Sequence, residues 1–164
     1  MTNTIITDNE SKELPLKIEK MAEADIETVM KIESEVDFPW KKKNSFLKYA
    51  ERGEAFVVRT TQNVIAGYVL IERKGDTIVL CKMAIDSEYR HKGFGKFIID
   101  WAKKFAKDQS AIRLLLHVRR SNYSAISLYK KTGFEEIRKS KDYYEKTGSN
   151  IEEKAALEMQ WVCS

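Results

Sequence analysis

At 164 residues, with 43% hydrophobic and 33% charged positions, the chain is long enough to bury a core without disulfide or metal staples. A net charge of +4 suits an anionic ligand and is too small to argue for nucleic acid as a partner. No apolar run has the length of a bilayer crossing and the N-terminus lacks a signal-peptide core, so no membrane partner is expected and the chain reads as cytoplasmic.

Cys81 and Cys163 with His91 and His117 make no zinc spacing, and no metal is expected. Cys81, in an apolar stretch, reads as a buried free thiol. Residues 1–14 are polar and read as a loose tail, and residues 15–164 as one domain. Leu16 to Lys20 alternates as a first strand. From Glu23 the apolar positions Ile26, Val29, Met30, Ile32 and Val36 follow helical spacing up to Pro39, which stops the helix. A second helix carries Phe46, Leu47, Tyr49 and Ala50 and closes at Gly53. Lys41, Lys42 and Lys43 form its solvated start.

Three strands follow as a meander: Ala55 to Thr60, Val64 to Glu72 and Thr77 to Ile85, joined by turns at Thr61-Gln62-Asn63 and Lys74-Gly75-Asp76. Phe94, Phe97, Ile98, Trp101, Ala102, Phe105 and Ala106 mark an amphipathic helix. Ile112 to Val118 has the density of a buried strand. Since it follows a strand and a crossover helix, it is expected parallel to Thr77–Ile85 or beside it. A shorter helix spans Asn122 to Lys131, with Ser121 or Asn122 as N-cap and Gly133 as its stop. Phe134 to Arg138 and Ala155 to Val162 are the last strands. The whole is an α+β fold with a mixed sheet and helices on both faces.

The chain is organised around Met83 to Lys96, where a strand ends, a basic loop follows and a helix begins. Such a loop concentrates unpaired N–H groups and the positive end of a helix dipole, which together bind phosphate. Gly93 and Gly95 permit close backbone approach, and Arg90, His91, Lys92 and Lys96 add donors. Taken alone, Arg-x-x-Gly-x-Gly also suits an ordinary helix start with solvated lysines. The second half of the pattern is His117-Val-Arg-x-Ser-Asn122, then Ala125-Ile-x-Leu-Tyr129 and Gly133-Phe134.

Together these two motifs resemble the GNAT superfamily of acetyl-CoA-dependent N-acetyltransferases, and the element order from about residue 16 to 162 fits it. Within it, Ile32-Glu33, Phe38-Pro39-Trp40 and Tyr143-Tyr144 are most similar to enzymes that acetylate protein N-termini, among them the ribosomal-protein alanine acetyltransferases. The resemblance implies a mostly antiparallel, seven-stranded sheet in which a splayed parallel strand pair holds CoA. Cofactor contacts are then expected from Met83, Ala84, Ile85, Arg90, His91, Lys92, Gly93, Phe94, Gly95, Lys96, Asn122, Ser124 and Tyr129.

It also implies substrate contacts from Glu33, Phe38, Pro39, Trp40, Tyr143 and Tyr144, with Glu33 meeting either the substrate amine or its loop. His117 is the expected base and Tyr129 the expected proton donor to the departing sulfur. The bacterial relatives carry glutamate where this chain has His117, and a tyrosine used by one eukaryotic relative falls at Val79. The expected partners are protein or peptide N-termini, ribosomal or nascent, and the expected state a monomer or homodimer. Acetylation of lysine side chains or polyamines, and a non-catalytic acyl-CoA-binding module, are the competing readings.

Overall fold

The computed structural model describes residues 4–7, 15–36, 39–137 and 156–163. Along the chain run β1 (Thr4–Thr7), β2 (Pro15–Lys20), α1 (Ile26–Glu33), α2 (Lys43–Glu51), β3 (Ala55–Thr60), β4 (Ile65–Lys74) and β5 (Thr77–Ile85). These are followed by α3 (Phe94–Asp108), β6 (Arg113–Arg119), α4 (Tyr123–Lys131), β7 (Glu135–Ile137) and β8 (Ala156–Val162). Among the described residues the seven expected strands are present and an eighth is added. Thr4–Thr7, expected within a loose tail, pairs antiparallel with β2, Thr4 opposite Ile18 and Thr7 opposite Pro15. Thr-Ile-Ile-Thr is a β-branched run, and it orders because β2 offers it an open edge.

The chain forms two compact units, Met1–Glu72 with Cys81–Trp101, and Arg73–Leu80 with Ala102–Ser164. In the first, the strand order is β1-β2-β3-β4-β5. Met21, Ile26, Val29, Ile32, Phe46, Val57, Tyr68 and Leu70 make its core. The apolar stripe of α1 enters this core beside the ring of Phe46, which lies edge-on to Tyr68 with centroids 5.6 Å apart. Strand β4 is buried from Ile65 through Ile71 without alternation, as a strand covered on both faces must be.

Gly67 of β4 marks a close approach. A Cβ there would lie 2.8 Å from the Ala84 carbonyl oxygen and 2.9 Å from the Ile85 side chain. Next to it, the Asp86 N–H donates to the Ala66 carbonyl at 2.8 Å. The end of β5 therefore runs against β4 at a separation that only glycine permits. Gly67→Ala is expected to lower unfolding free energy by about 1–3 kcal/mol. Urea denaturation reads this directly, and a wild-type midpoint would show that the two backbones part without cost.

In the second unit the order is β5-β6-β8-β7. The β5–β6 ladder is parallel, as expected, and covers Thr77–Leu80 against Arg113–Leu116. Strand β8 lies antiparallel to both β6 and β7. The dense apolar run of β6 is buried on one face only: Leu114, Leu116 and Val118 are buried, Leu115 is partly so, and His117 is exposed. A short apolar run carries no period, so its sequence cannot separate burial on one face from burial on two.

Candidate active site

The first unit holds the loop. Met83 and Ile85 are half-buried and Ala84 is buried. Asp86 opens a short 3-10 turn by accepting from the Glu88 N–H at 3.0 Å, and Arg90 Nε braces the turn by donating to the Ile85 carbonyl at 3.2 Å. His91 and Gly93 both take left-handed backbone, with φ of 63° and 85°. At Gly93 glycine costs nothing, while His91 carries the usual steric penalty of an L-residue there.

Helix α3 begins at Phe94, and the Phe97 N–H donates to the Gly93 carbonyl at 3.0 Å. The N–H groups of Phe94 and Gly95 precede that turn and have no acceptor within the helix. Around them Arg90, His91, Lys92, Gly93 and Lys96 are exposed, whereas the Phe94 ring is buried. Phe94 therefore has only its backbone to offer a ligand. Lys96 is ion-paired with Asp100 at 2.9 Å one turn along the helix. This set of backbone donors and cations fits a pyrophosphate.

Glu33, at the last position of α1, has no exposed surface. Its Oε1 accepts from the Tyr68 hydroxyl. Its Oε2 accepts from the Trp40 N–H at 2.8 Å and pairs with Lys82 Nζ at 2.9 Å. The Lys82 ammonium also lies 5.3 Å from the centroid of the Trp40 ring. Burial, then the hydrogen bond and charge of Glu33, push the Tyr68 phenol far above its ordinary value. Glu33 thus meets the loop after α1 through the Trp40 N–H, with Tyr68 and Lys82 as its other partners.

Pro39 and Trp40 are half-buried. Phe38, Tyr143 and Tyr144 lie outside the described residues. Cys81 is a free thiol, as expected, but only partly buried, with its sulfur 3.7 Å from Glu72 Oε2.

The second unit holds His117. It stands on the exposed face of β6, directly opposite Glu158 of β8, and its Nε2 is 2.7 Å from Glu158 Oε2. The same face carries a polar row, in which Arg113 donates to Gln160 and Gln160 donates to Glu135, each at 3.1 Å. Asn122 caps α4 as expected. Its amide oxygen accepts from the Ala125 N–H at 3.3 Å, so a cofactor contact would fall to its amide nitrogen. Ser124 is exposed beside it. Tyr129 is 7% exposed, its ring 5.8 Å from that of Phe134, and burial pushes its phenol up to about 12.

Tyr68, Lys82 and Glu158 were missed by reasoning from sequence. Lys82 did leave a signal, a lone cation inside the apolar run Thr77 to Ile85. Glu158 left none, because only strand register brings it to His117.

The sequence profile described as Acetyltransferase (GNAT) family matches residues 23–134. An N-alpha-acetyltransferase of Saccharolobus solfataricus is 33% identical over 110 residues, covering 57% of this chain and 64% of the relative. A [ribosomal protein bS18]-alanine N-acetyltransferase of Escherichia coli strain K12 is 31% identical over 111 residues, covering 67% of this chain and 74% of the relative. Among solved structures, the PaiA N-acetyltransferase of Thermoplasma acidophilum in complex with coenzyme A superposes with a TM-score of 0.74 at 17% identity, over 91% of this chain and 99% of that one.

Proposed function

This chain belongs to the GNAT family of acetyltransferases and is an acetyl-CoA-dependent N-acetyltransferase, and from that premise we propose that its acceptor is the α-amino group of a protein or peptide N-terminus. The observation that carries this reading is the exposed imidazole of His117 on β6, held at Nε2 by a carboxylate. An α-amino group titrates near 7.7–8.0 and a lysine ammonium near 10.4. Imidazoles as a class are competent bases for the first and poor ones for the second. Relatives named for α-amino and ribosomal-protein alanine acetylation support the same choice.

In this reading the N–H groups at the start of α3, with Arg90, His91, Lys92 and Lys96, hold the pyrophosphate. Asn122 and Ser124 add polar contacts. The backbone of Met83 to Ile85 hydrogen-bonds the pantetheine arm as a strand would. Acetyl-CoA supplies the acetyl group as an activated thioester. His117 takes one proton of the α-ammonium, which frees the amine lone pair to attack the thioester carbon. As the C–N bond forms and the C–S bond breaks, the second nitrogen proton passes through solvent to the departing thiolate. The Tyr129 hydroxyl directs its proton to the sulfur that departs. Trp40, tied down through Glu33, forms one wall of the acceptor slot.

The test is CoA release from acetyl-CoA with short peptides that differ in their first two residues. A matched set carries a blocked N-terminus and a free lysine. Turnover confined to free N-termini is the expected result, and turnover that survives blocking would assign the chain to lysine or polyamine acceptors instead.

A further inference from the structure

We infer that Glu158 is a positioning residue for acetyl transfer, acting through His117; this rests on the reading of His117 as the base. Three observations converge on it. The β6–β8 register sets the two residues directly opposite each other, where facing side chains are in reach. The 2.7 Å separation between Nε2 and Oε2 is that of a charge-assisted hydrogen bond. Exposure is unequal, with 51% of the His117 side chain open to solvent against 14% for Glu158. The carboxylate is thus the sheltered, anchored partner and the imidazole the one presented outward.

An ionised carboxylate only accepts hydrogen bonds, so the proton of the contact belongs to Nε2. The lone pair of the neutral ring then lies on Nδ1, and this is the nitrogen that receives the ammonium proton. After that transfer the ring carries a proton on each nitrogen, with the Nε2 proton still held by Glu158. The Nδ1 proton leaves to solvent once the acetyl group has moved. Glu158 thereby selects the tautomer, restrains ring rotation and faces the imidazolium with a negative charge. It touches neither the amine nor the thioester.

Steady-state kinetics on four proteins test this: wild type, Glu158→Ala, His117→Ala and the double variant. Glu158→Ala is expected to lower kcat by about tenfold or more, with KM for acetyl-CoA unchanged. Glu158→Gln keeps an acceptor oxygen for Nε2–H and is expected to recover much of that loss. In the His117→Ala background, Glu158→Ala is expected to have no further effect, because a positioning residue has nothing left to position. Wild-type kcat in Glu158→Ala, or an equal fall in both backgrounds, would overturn the inference and leave Glu158 a packing residue of β8.

Should the alanine variant fail to fold, Glu158→Met fills the strand position without an acceptor and answers the same question. The two readings fail separately. Loss of activity in His117→Ala but not in Glu158→Ala removes only Glu158, whereas full activity in His117→Ala removes the base itself.

Discussion

Tyr129→Phe is expected to reduce kcat for acetyl transfer by roughly 10²–10³-fold, the loss that follows removal of one donor aimed at developing negative charge, with KM for acetyl-CoA nearly unchanged. Burial raises the phenol to about 12, so it holds its proton throughout the neutral range. A thiol titrates near 8.5, which makes the phenol the weaker acid of the two. Complete proton transfer to the sulfur is therefore uphill, and Tyr129 acts chiefly by donating a hydrogen bond as charge builds there.

No alkaline loss of activity attributable to Tyr129 is expected below about pH 10, the ordinary tyrosine value. Stability behaves differently. The folded-state value lies above the unfolded one, so the stabilisation is complete below about pH 10 and is lost as pH rises to about 12. Urea titrations across that window should show a fall for the wild type that is reduced in the phenylalanine variant. Unchanged kcat in Tyr129→Phe would return the ring to a packing role against Phe134.

Glu33→Ala is expected to lower unfolding free energy by about 3–5 kcal/mol, the range for breaking a buried ion pair from one side. Three donors lose their acceptor together: the Trp40 N–H, the Tyr68 hydroxyl and the Lys82 ammonium. For a chain of this size each kcal/mol shifts Tm by about 2–4 °C, so a fall of about 6–20 °C is expected. Glu33→Gln keeps one acceptor oxygen in the same volume and should cost less. Because Glu33 holds Trp40, the glutamine variant should also raise KM for the peptide more than KM for acetyl-CoA. A Tm within about 2 °C of wild type in Glu33→Ala would mean that the cluster reorganises around the gap.

Much of this molecule was legible in the sequence. The bounds of β5 and the N-cap at Asn122 follow from turn chemistry and period, both local properties of the chain. The glycine loop was equally readable, since its chemistry lies in adjacent backbone groups and not in distant partners. Its left-handed positions at His91 and Gly93 fall in the stretch that the pattern singled out.

What tertiary structure decided was everything that depends on a partner far along the chain. Thr4–Thr7 becomes a strand because β2 presents an edge, although a polar, aperiodic stretch has no cause to order by itself. From the sequence, Glu33 is expected to meet either the substrate amine or its loop. It becomes a buried anchor because β4 and β5 bring Tyr68 and Lys82 to it. His117 meets Glu158 across 41 residues of sequence, and register alone determines that pairing. Side chains alternate along a strand with period two, so a slip of one residue would set Leu157 or Met159 opposite the imidazole. Composition and spacing are thus sufficient to name the chemistry of a loop, whereas the partner of a lone side chain on a strand is settled only when the sheet closes around it.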